Sequence, residues 1–366
     1  MYLLRLAAYF LLYILFFQSY SAVGQSHPIQ KQVFNQINNL EFTAEGKAVV
    51  LQGKGDFLIR VLNEKTYEVE QELVRRGNGP GELPKASSFY LDQEKNIIFL
   101  AGADRRIIGV SLLNGKTVYE KTFPKLKSIS SSDFTPTMII DDGYLFFSSK
   151  GGIDPSTPSD LPLPVVSLFD TSSTEQVFSF YLPVDDLAFR DLEDLGRANR
   201  VPLSASLVML NERLSIVTFQ GIPSFYFFVN GEFIKRVGLN PDFEVTFITS
   251  KRDIFGQKAG IRTPAYINNI EKLDEEHVLI SYGNIHQEEI PMGYSVFRIT
   301  STPDLGLQDE IIVEKVLDKE LPEIDEISAY NITAQQRILF LHNNFDWLAH
   351  QIYALEAPEL NTMLDD

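Results

Sequence analysis

The chain has 366 residues, no cysteine and a formal net charge of −17 at pH 7. That charge repels nucleic-acid phosphate and anionic lipid, and no long Lys/Arg cluster offsets it, so neither is an expected partner. Without cysteine there is no disulfide, thiolate metal site, cysteine nucleophile or cysteine-linked lipid anchor.

The first segment reads as an export signal. Arg5 is the only charged residue before Lys31, and Leu6 to Phe17 is uncharged and strongly apolar. A run of about a dozen residues suits a signal-peptide core and is short for a membrane span. Ala22-Val23-Gly24 before Gln25 offers small residues for cleavage. The expectation is a signal peptide over 1–24, one domain over 25–366, a periplasmic or secreted location and no membrane span after cleavage.

Beyond Gln25 the chain is a succession of short β-like runs broken by turn signals. Val49-Val50-Leu51 and Phe57 to Leu62 flank Gly53-Lys54-Gly55. Tyr67 to Val74 leads into Arg75-Arg76-Gly77-Asn78-Gly79-Pro80-Gly81-Glu82-Leu83-Pro84, where alternating glycines let the backbone turn. This stretch reads as the crossing from one small sheet to the next. Asn114-Gly115, Asp142-Gly143 and Asn230-Gly231 each sit between two strand-like runs and predict hairpins.

These runs sort into six units: Leu40–Val74, Phe89–Phe123, Phe134–Tyr181, Leu207–Arg236, Tyr266–Val316 and Ile327–Leu355. The predicted fold is an all-β, six-bladed β-propeller. The last unit supplies three strands, so His27 to Phe34 is expected to pair into it and close the ring by an N-terminal strand. Gly151–Pro164 reads as an irregular loop, Val184–Gly196 as a helix, and Pro241–Thr263 as a third insertion.

The stretch from Gly77 to Lys116 resembles an NHL-type propeller repeat, through Gly77-Asn78-Gly79-Pro80-Gly81-Glu82-Leu83, Leu91-Asp92, Asn96 to Leu100 and Arg106-Ile107. The mature chain is similar to the TolB-like six-bladed propellers of exported bacterial proteins. Gly102 stands where NHL repeats usually carry an aspartate. The resemblance implies a fold and a compartment and no settled activity.

No catalytic residue, metal-ligand set or cofactor motif stands out. The glycines of the crossing precede Pro84 and a β-run, whereas a phosphate loop needs a helix there. Asp154, Ser156 and Asp160 lack calcium-loop spacing, and no Gly-x-Ser-x-Gly elbow is present. His27, His277, His286, His342 and His350 show no ligand spacing. Arg76 and Glu82 flank the crossing and are expected to pair across it. Together with Asp104 and Arg105, they are the candidate ligand-binding residues on the face where crossings ring the channel. The functional expectation is an exported, non-catalytic propeller that binds a protein or glycan partner through its loop-rich face. The alternative is a metal-assisted hydrolase or lyase with carboxylates around the central channel.

Overall fold

In the computed structural model the described residues are 27–28, 37–43, 45–63, 66, 68–126, 138–148, 150–152, 163–182, 202–219, 222–239, 248–249, 261–262, 267–282, 293–301, 311–320, 327–332, 337–343 and 350–356. They are built from β-strands. After the two-residue β1 (His27–Pro28), the first sheet takes β2 (Ile37–Phe42), β3 (Ala48–Gln52), β4 (Phe57–Leu62) and β5 (Val69–Arg75). The second takes β6 (Ala86–Asp92), β7 (Ile97–Gly102), β8 (Arg106–Ser111) and β9 (Thr117–Thr122). β10 (Met138–Asp141) and β11 (Tyr144–Ser148) pair in the third sheet. β12 (Lys150–Gly152) leaves it, and β13 (Leu163–Asp170) and β14 (Gln176–Leu182) complete it.

The fourth sheet holds β15 (Pro202–Met209), β16 (Leu214–Phe219), β17 (Ile222–Val229) and β18 (Glu232–Gly238), with β12 added beside β15. A small ribbon of β19 (Ile248–Thr249) and β20 (Ile261–Arg262) precedes the fifth sheet. That sheet consists of β21 (Ile267–Lys272), β22 (His277–Tyr282), β23 (Gly293–Ser301) and β24 (Ile311–Glu320). β25 (Ile327–Ile332), β26 (Arg337–Asn343) and β27 (His350–Glu356) follow. Every pairing between the described strands is antiparallel, and in each of the five main sheets the four consecutive blade strands meander from the inner to the outer position.

The burial pattern explains the strand sequences. β3, β16 and β22 are buried at every residue; each lies between two strands of its own sheet, and β16 also lies between two packed neighbouring sheets. Such strands read as unbroken apolar runs. The outer strands β5, β9 and β18 alternate with exposed positions. Among the described residues, four apolar layers join consecutive sheets. Val49, Leu51, Phe89 and Leu100 fill the first layer, and Phe99, Phe123, Phe147 and Phe169 the second. Phe180, Phe219, Tyr226 and Phe228 fill the third, and Phe225, Phe227, Ile280 and Phe297 the fourth. Edge-to-face rings, such as Phe225 on Phe297 at 5.2 Å, knit these layers.

The described packing corrects the sequence reading of six blades to five. Four apolar layers join five sheets, and each of those five stands as a packed blade. The unit Ile327–Leu355 contributes backbone pairing alone, in a terminal sheet of order β1-β27-β26-β25 with β25 near β2, and its side chains lie outside the described residues. A hydrophobic rhythm at strand spacing reveals strands. It does not reveal whether the sheet they form is packed as a blade. Of the expected strand His27 to Phe34, the described residues His27–Pro28 pair into this sheet, opposite Ala354 and Tyr353, and the rest lies outside the described residues. The predicted helix Val184–Gly196 lies outside the described residues. Within Pro241–Thr263 the described part is the β19–β20 ribbon.

Two of the predicted hairpins are tight two-residue turns. Asp142 and Gly143 have φ of 42° and 80°, and Asn230 and Gly231 have 50° and 82°. Positive φ at both central residues twists the turn with the strands. At Asn114-Gly115 only Gly115 is left-handed, and its N–H closes a longer loop on the Ser111 carbonyl at 2.9 Å. A Cβ on Gly231 would sit 2.5 Å from the Phe178 ring. Gly231→Ala should therefore cost about 1–3 kcal/mol, read as a lower urea midpoint at unchanged slope. An unchanged midpoint would show that this turn does not seat the third and fourth blades together.

Candidate functional site

In a meandering blade, the turns between second and third strands and the crossings between blades share one face of the ring. The longest connections, 123–137, 149–162, 183–201 and 239–266, all begin and end there. On the opposite face the longest is 302–310. The asymmetry defines a loop-rich face, and all four candidate residues are on it.

The crossing from the first blade to the second is built from its arginine outward. The Arg76 N–H donates to the Asp56 carbonyl at 2.7 Å, and an isolated parallel bridge sets Arg76 beside Leu83. Its guanidinium donates from Nε to Gly55 O at 2.8 Å, from Nη1 to Pro84 O at 3.1 Å and from Nη2 to Gln52 O at 3.2 Å. Burial holds its pKa below the usual arginine value. Glu82 folds back on the turn, its Oε2 accepting the Gly79 N–H at 3.0 Å. A Cβ on Gly77 would meet that carboxylate, so the folded-back position of Glu82 depends on glycine there.

The β7–β8 turn lies against this crossing. Ala103 N–H donates to Lys85 O at 3.1 Å, and Arg106 Nη1 to Gly79 O at 3.4 Å. Arg106 also holds Asp104 Oδ2 at 2.6 Å and Glu120 Oε1 at 3.0 Å, while Glu120 Oε2 accepts the Gly81 N–H at 3.0 Å. A Cβ on Gly102 would lie 2.5 Å from Asp104 Oδ1 and 2.7 Å from Leu83 Cδ2. A side chain at this position would have to displace Asp104 and Leu83. Arg105 is exposed with φ of 68°, and its Nη1 donates to Pro124 O at 2.9 Å.

The two loops and all four expected residues are thus brought together, but by other partners than the sequence suggests. Among the described residues no ion pair joins Arg76 to Glu82; Arg76 is spent on carbonyls and Glu82 on its own turn. The residues that join the loops, Arg106 and Glu120, are not among the expected four. Their link depends on the register that sets Glu120 opposite Ile108, and sequence spacing does not encode it.

The inner strands enter this face with a repeated irregularity. The register skips one residue between Ile37 and Asn39, Ala86 and Ser88, Ile267 and Asn269, and Ile327 and Ala329. The extra residues are Asn38, Ser87, Asn268 and Ser328, all polar and uncharged. Bulges of this kind re-aim the chain beside functional sites. On second strands adjoining two of these, Gln52 Nε2 and Ser281 Oγ are buried with no hydrogen-bond partner among the described residues, as is Thr218 Oγ1 on β16. Each such group costs about 1–3 kcal/mol unless water or a ligand meets it. On the same face β12 pairs with the start of β15, Lys150 opposite Ser204, so the loop after β11 reaches the inner edge of the fourth blade.

On the opposite face, Glu41, Asp92, Glu94 and Asp141 gather around Tyr90. Glu41 keeps part of its surface exposed, yet burial of its carboxyl pushes the pKa up to about 8, against the opposing hydrogen bond from the Leu91 backbone. Tyr90 is pushed up to about 12, first by burial and then by Asp92, Asp141, Glu41 and Glu94. His277 is a packed histidine. Its Nδ1 lies 2.8 Å from Asp274 Oδ2, and its Nε2 accepts Arg298 Nε at 3.2 Å. Among the described residues no group of three or more His, Asp or Glu side chains is placed to hold a metal ion. Among them, too, no helix is long and apolar enough to cross a membrane.

No family model and no curated protein matches the chain. Solved structures do. A candidate exported protein from Bacteroides fragilis is 14% identical with a TM-score of 0.50, covering 91% of this chain and 94% of that one. A member of the DUF4221 family from Bacteroides vulgatus is 11% identical with a TM-score of 0.54, covering 91% and 96%. At such identity the likeness shows the fold, an all-β propeller.

Two outcomes follow. Arg76→Ala removes three directional bonds and should lower stability by about 2 kcal/mol, and Arg76→Lys should not restore it, because a single ammonium cannot span the three carbonyls. Denaturant melts of both variants decide this. For Glu41 the folded pKa, about 8, lies above the ordinary value of 4.5. The native state keeps a proton that the unfolded chain releases, so stability falls as pH rises through that window and then levels off. Glu41→Gln should raise the melting temperature by at least ~2 °C at about pH 9 and leave it unchanged at about pH 4. An equal gain at both ends would mean the carboxyl is not the cause.

Proposed function

We propose that this chain is an exported, non-catalytic propeller that binds a protein or glycan partner through its loop-rich face. The observation that carries the reading is the sorting of the long connections, 123–137, 149–162, 183–201 and 239–266, to one end of the inner strands. Loops on a rigid scaffold are where recognition concentrates. The polar bulge positions Asn38, Ser87 and Asn268 lie at the same end, on strands adjoining those of the unpartnered Gln52 and Ser281, and all are polar without charge. In this reading Arg105 is the contact residue of the crossing region, while Arg76, Glu82 and Asp104 hold their loops in shape. The apolar leader before Gln25 and the fold shared with a candidate exported protein support a periplasmic or secreted location.

The test uses the purified chain immobilised and exposed to periplasmic extract and, separately, to a glycan array. A saturable partner lost at least ~10-fold on Arg105→Glu, at unchanged melting temperature, supports the reading. Capture that is indifferent to Arg105→Glu and to shortening of 183–201 removes it.

A further inference from the structure

Five outer strands face away from the ring axis, and four of them are guarded. β5 carries Glu70, Glu72 and Arg75, and β9 carries Glu120 and Lys121. β18 carries Glu232, Lys235 and Arg236, and β24 carries Glu314, Lys315, Asp318, Lys319 and Glu320. Charges on an outer strand keep its open backbone edge from pairing with another chain. β14, Gln-Val-Phe-Ser-Phe-Tyr-Leu over Gln176–Leu182, carries none. It also exposes Val177 at 53%, Phe178 at 43% and Tyr181 at 46%. Among the described residues no strand pairs with its outer edge.

We infer that β14 is a homodimer edge, pairing antiparallel with β14 of a second copy about a two-fold axis through Ser179. The sequence around Ser179 is self-complementary, as an isologous contact demands. Phe178 falls opposite Phe180 of the other copy, and Val177, the extra residue where the pairing of β14 with β13 shifts register, falls opposite Tyr181 at the end of the pairing. Aromatic–aromatic and aromatic–β-branched pairs are favourable cross-strand neighbours. Electrostatics selects the same strip. Two copies of a chain with net charge −17 repel each other, and β14 is the outer strand where they meet without bringing carboxylates together. The strand is also held rigid for the purpose. Phe180 stacks on Phe228 at 5.3 Å, Phe178 meets Phe180 edge-on at 6.2 Å, and Gln176 Nε2 fixes Ser179 Oγ at 2.8 Å. A two-fold contact closes on itself, so it gives a dimer and no fibre.

The experiment is sedimentation equilibrium on the purified chain at about 50 µM, a concentration that populates a micromolar dimer. The wild type is expected at twice the chain mass. V177K/Y181K sets ammonium groups of the two copies against each other, and V177E/Y181E does the same with carboxylates. Each variant is expected at the chain mass, with a melting temperature within about 2 °C of the wild-type monomer's. Mixed one to one, the two variants are expected to form a heterodimer, which a variant that failed to fold could not do. A monomeric wild type, a V177K/Y181K variant that stays dimeric, or a mixture that stays monomeric would overturn the inference.

Discussion

The constraint on which the molecule depends is that a four-stranded sheet with two apolar faces cannot stand alone. Each middle strand here is apolar on both sides, and only a neighbouring sheet at each face removes that surface from water. The layers Val49/Leu51/Phe89/Leu100 and Phe225/Phe227/Ile280/Phe297 meet this demand at their blade junctions. Once sheets stack face to face, antiparallel meandering sends successive connections to opposite ends. Every long excursion on a crossing then shares one face, and the loop-rich end is a consequence of packing.

The same stacking sets how much of the molecule is legible in the sequence. Middle strands are legible because burial on both faces leaves them few polar positions; Leu214 to Phe219 is an example. The turns Asp142-Gly143 and Asn230-Gly231 are legible because positive φ at both residues admits few residue types. The crossing at Gly77 to Pro84 is legible for a related reason, the glycines its close turns demand. The blade count is not legible. Strand rhythm continues through Ile327–Leu355 whether or not those strands bring a packed layer with them, and rhythm is what the sequence displays. Nor are the partners of Arg76. Three carbonyls from Gln52, Gly55 and Pro84 converge on it only after the first blade has folded. The inner-strand bulges are half visible. Ile-Asn-Asn recurs at 37–39 and 267–269, but Ala86-Ser87-Ser88 makes the same skip with other residues. Neither glycine nor proline marks any of them, so the skipped register has no common signal.

The candidate site shows how a loop becomes a scaffold. Arg76 and Arg106 both lie in the crossing region, and both are engaged by groups of the chain itself. Arg106 joins Asp104, Glu120 and the Gly79 carbonyl, so that two loops and the outer strand of the second blade move as one. Arginine suits this role because its planar fork keeps several donors in fixed directions. These side chains do not have to be ordered on binding, and that lowers the entropic cost of any contact the face makes. Arg105, its backbone held by Gly102 and Phe123 and its side chain by one carbonyl, projects from that fixed frame.

Charge then divides the surface by task. Acidic residues are spread along the chain and over the outer strands, where they keep sheet edges apart and the protein in solution. The inner-strand entry positions are polar and neutral, and β14 is apolar and neutral. Over seven residues β14 carries no charge, on a protein of net charge −17. Among the described residues the exposed rings of Phe178 and Tyr181 and the outer backbone edge of β14 have no strand over them, a standing cost that a covered edge would remove. The two neutral regions differ in their chemistry. The inner-strand entry positions carry amide and hydroxyl residue types in the sequence, whereas the β14 edge carries aromatic rings beside a backbone edge that no described strand pairs with.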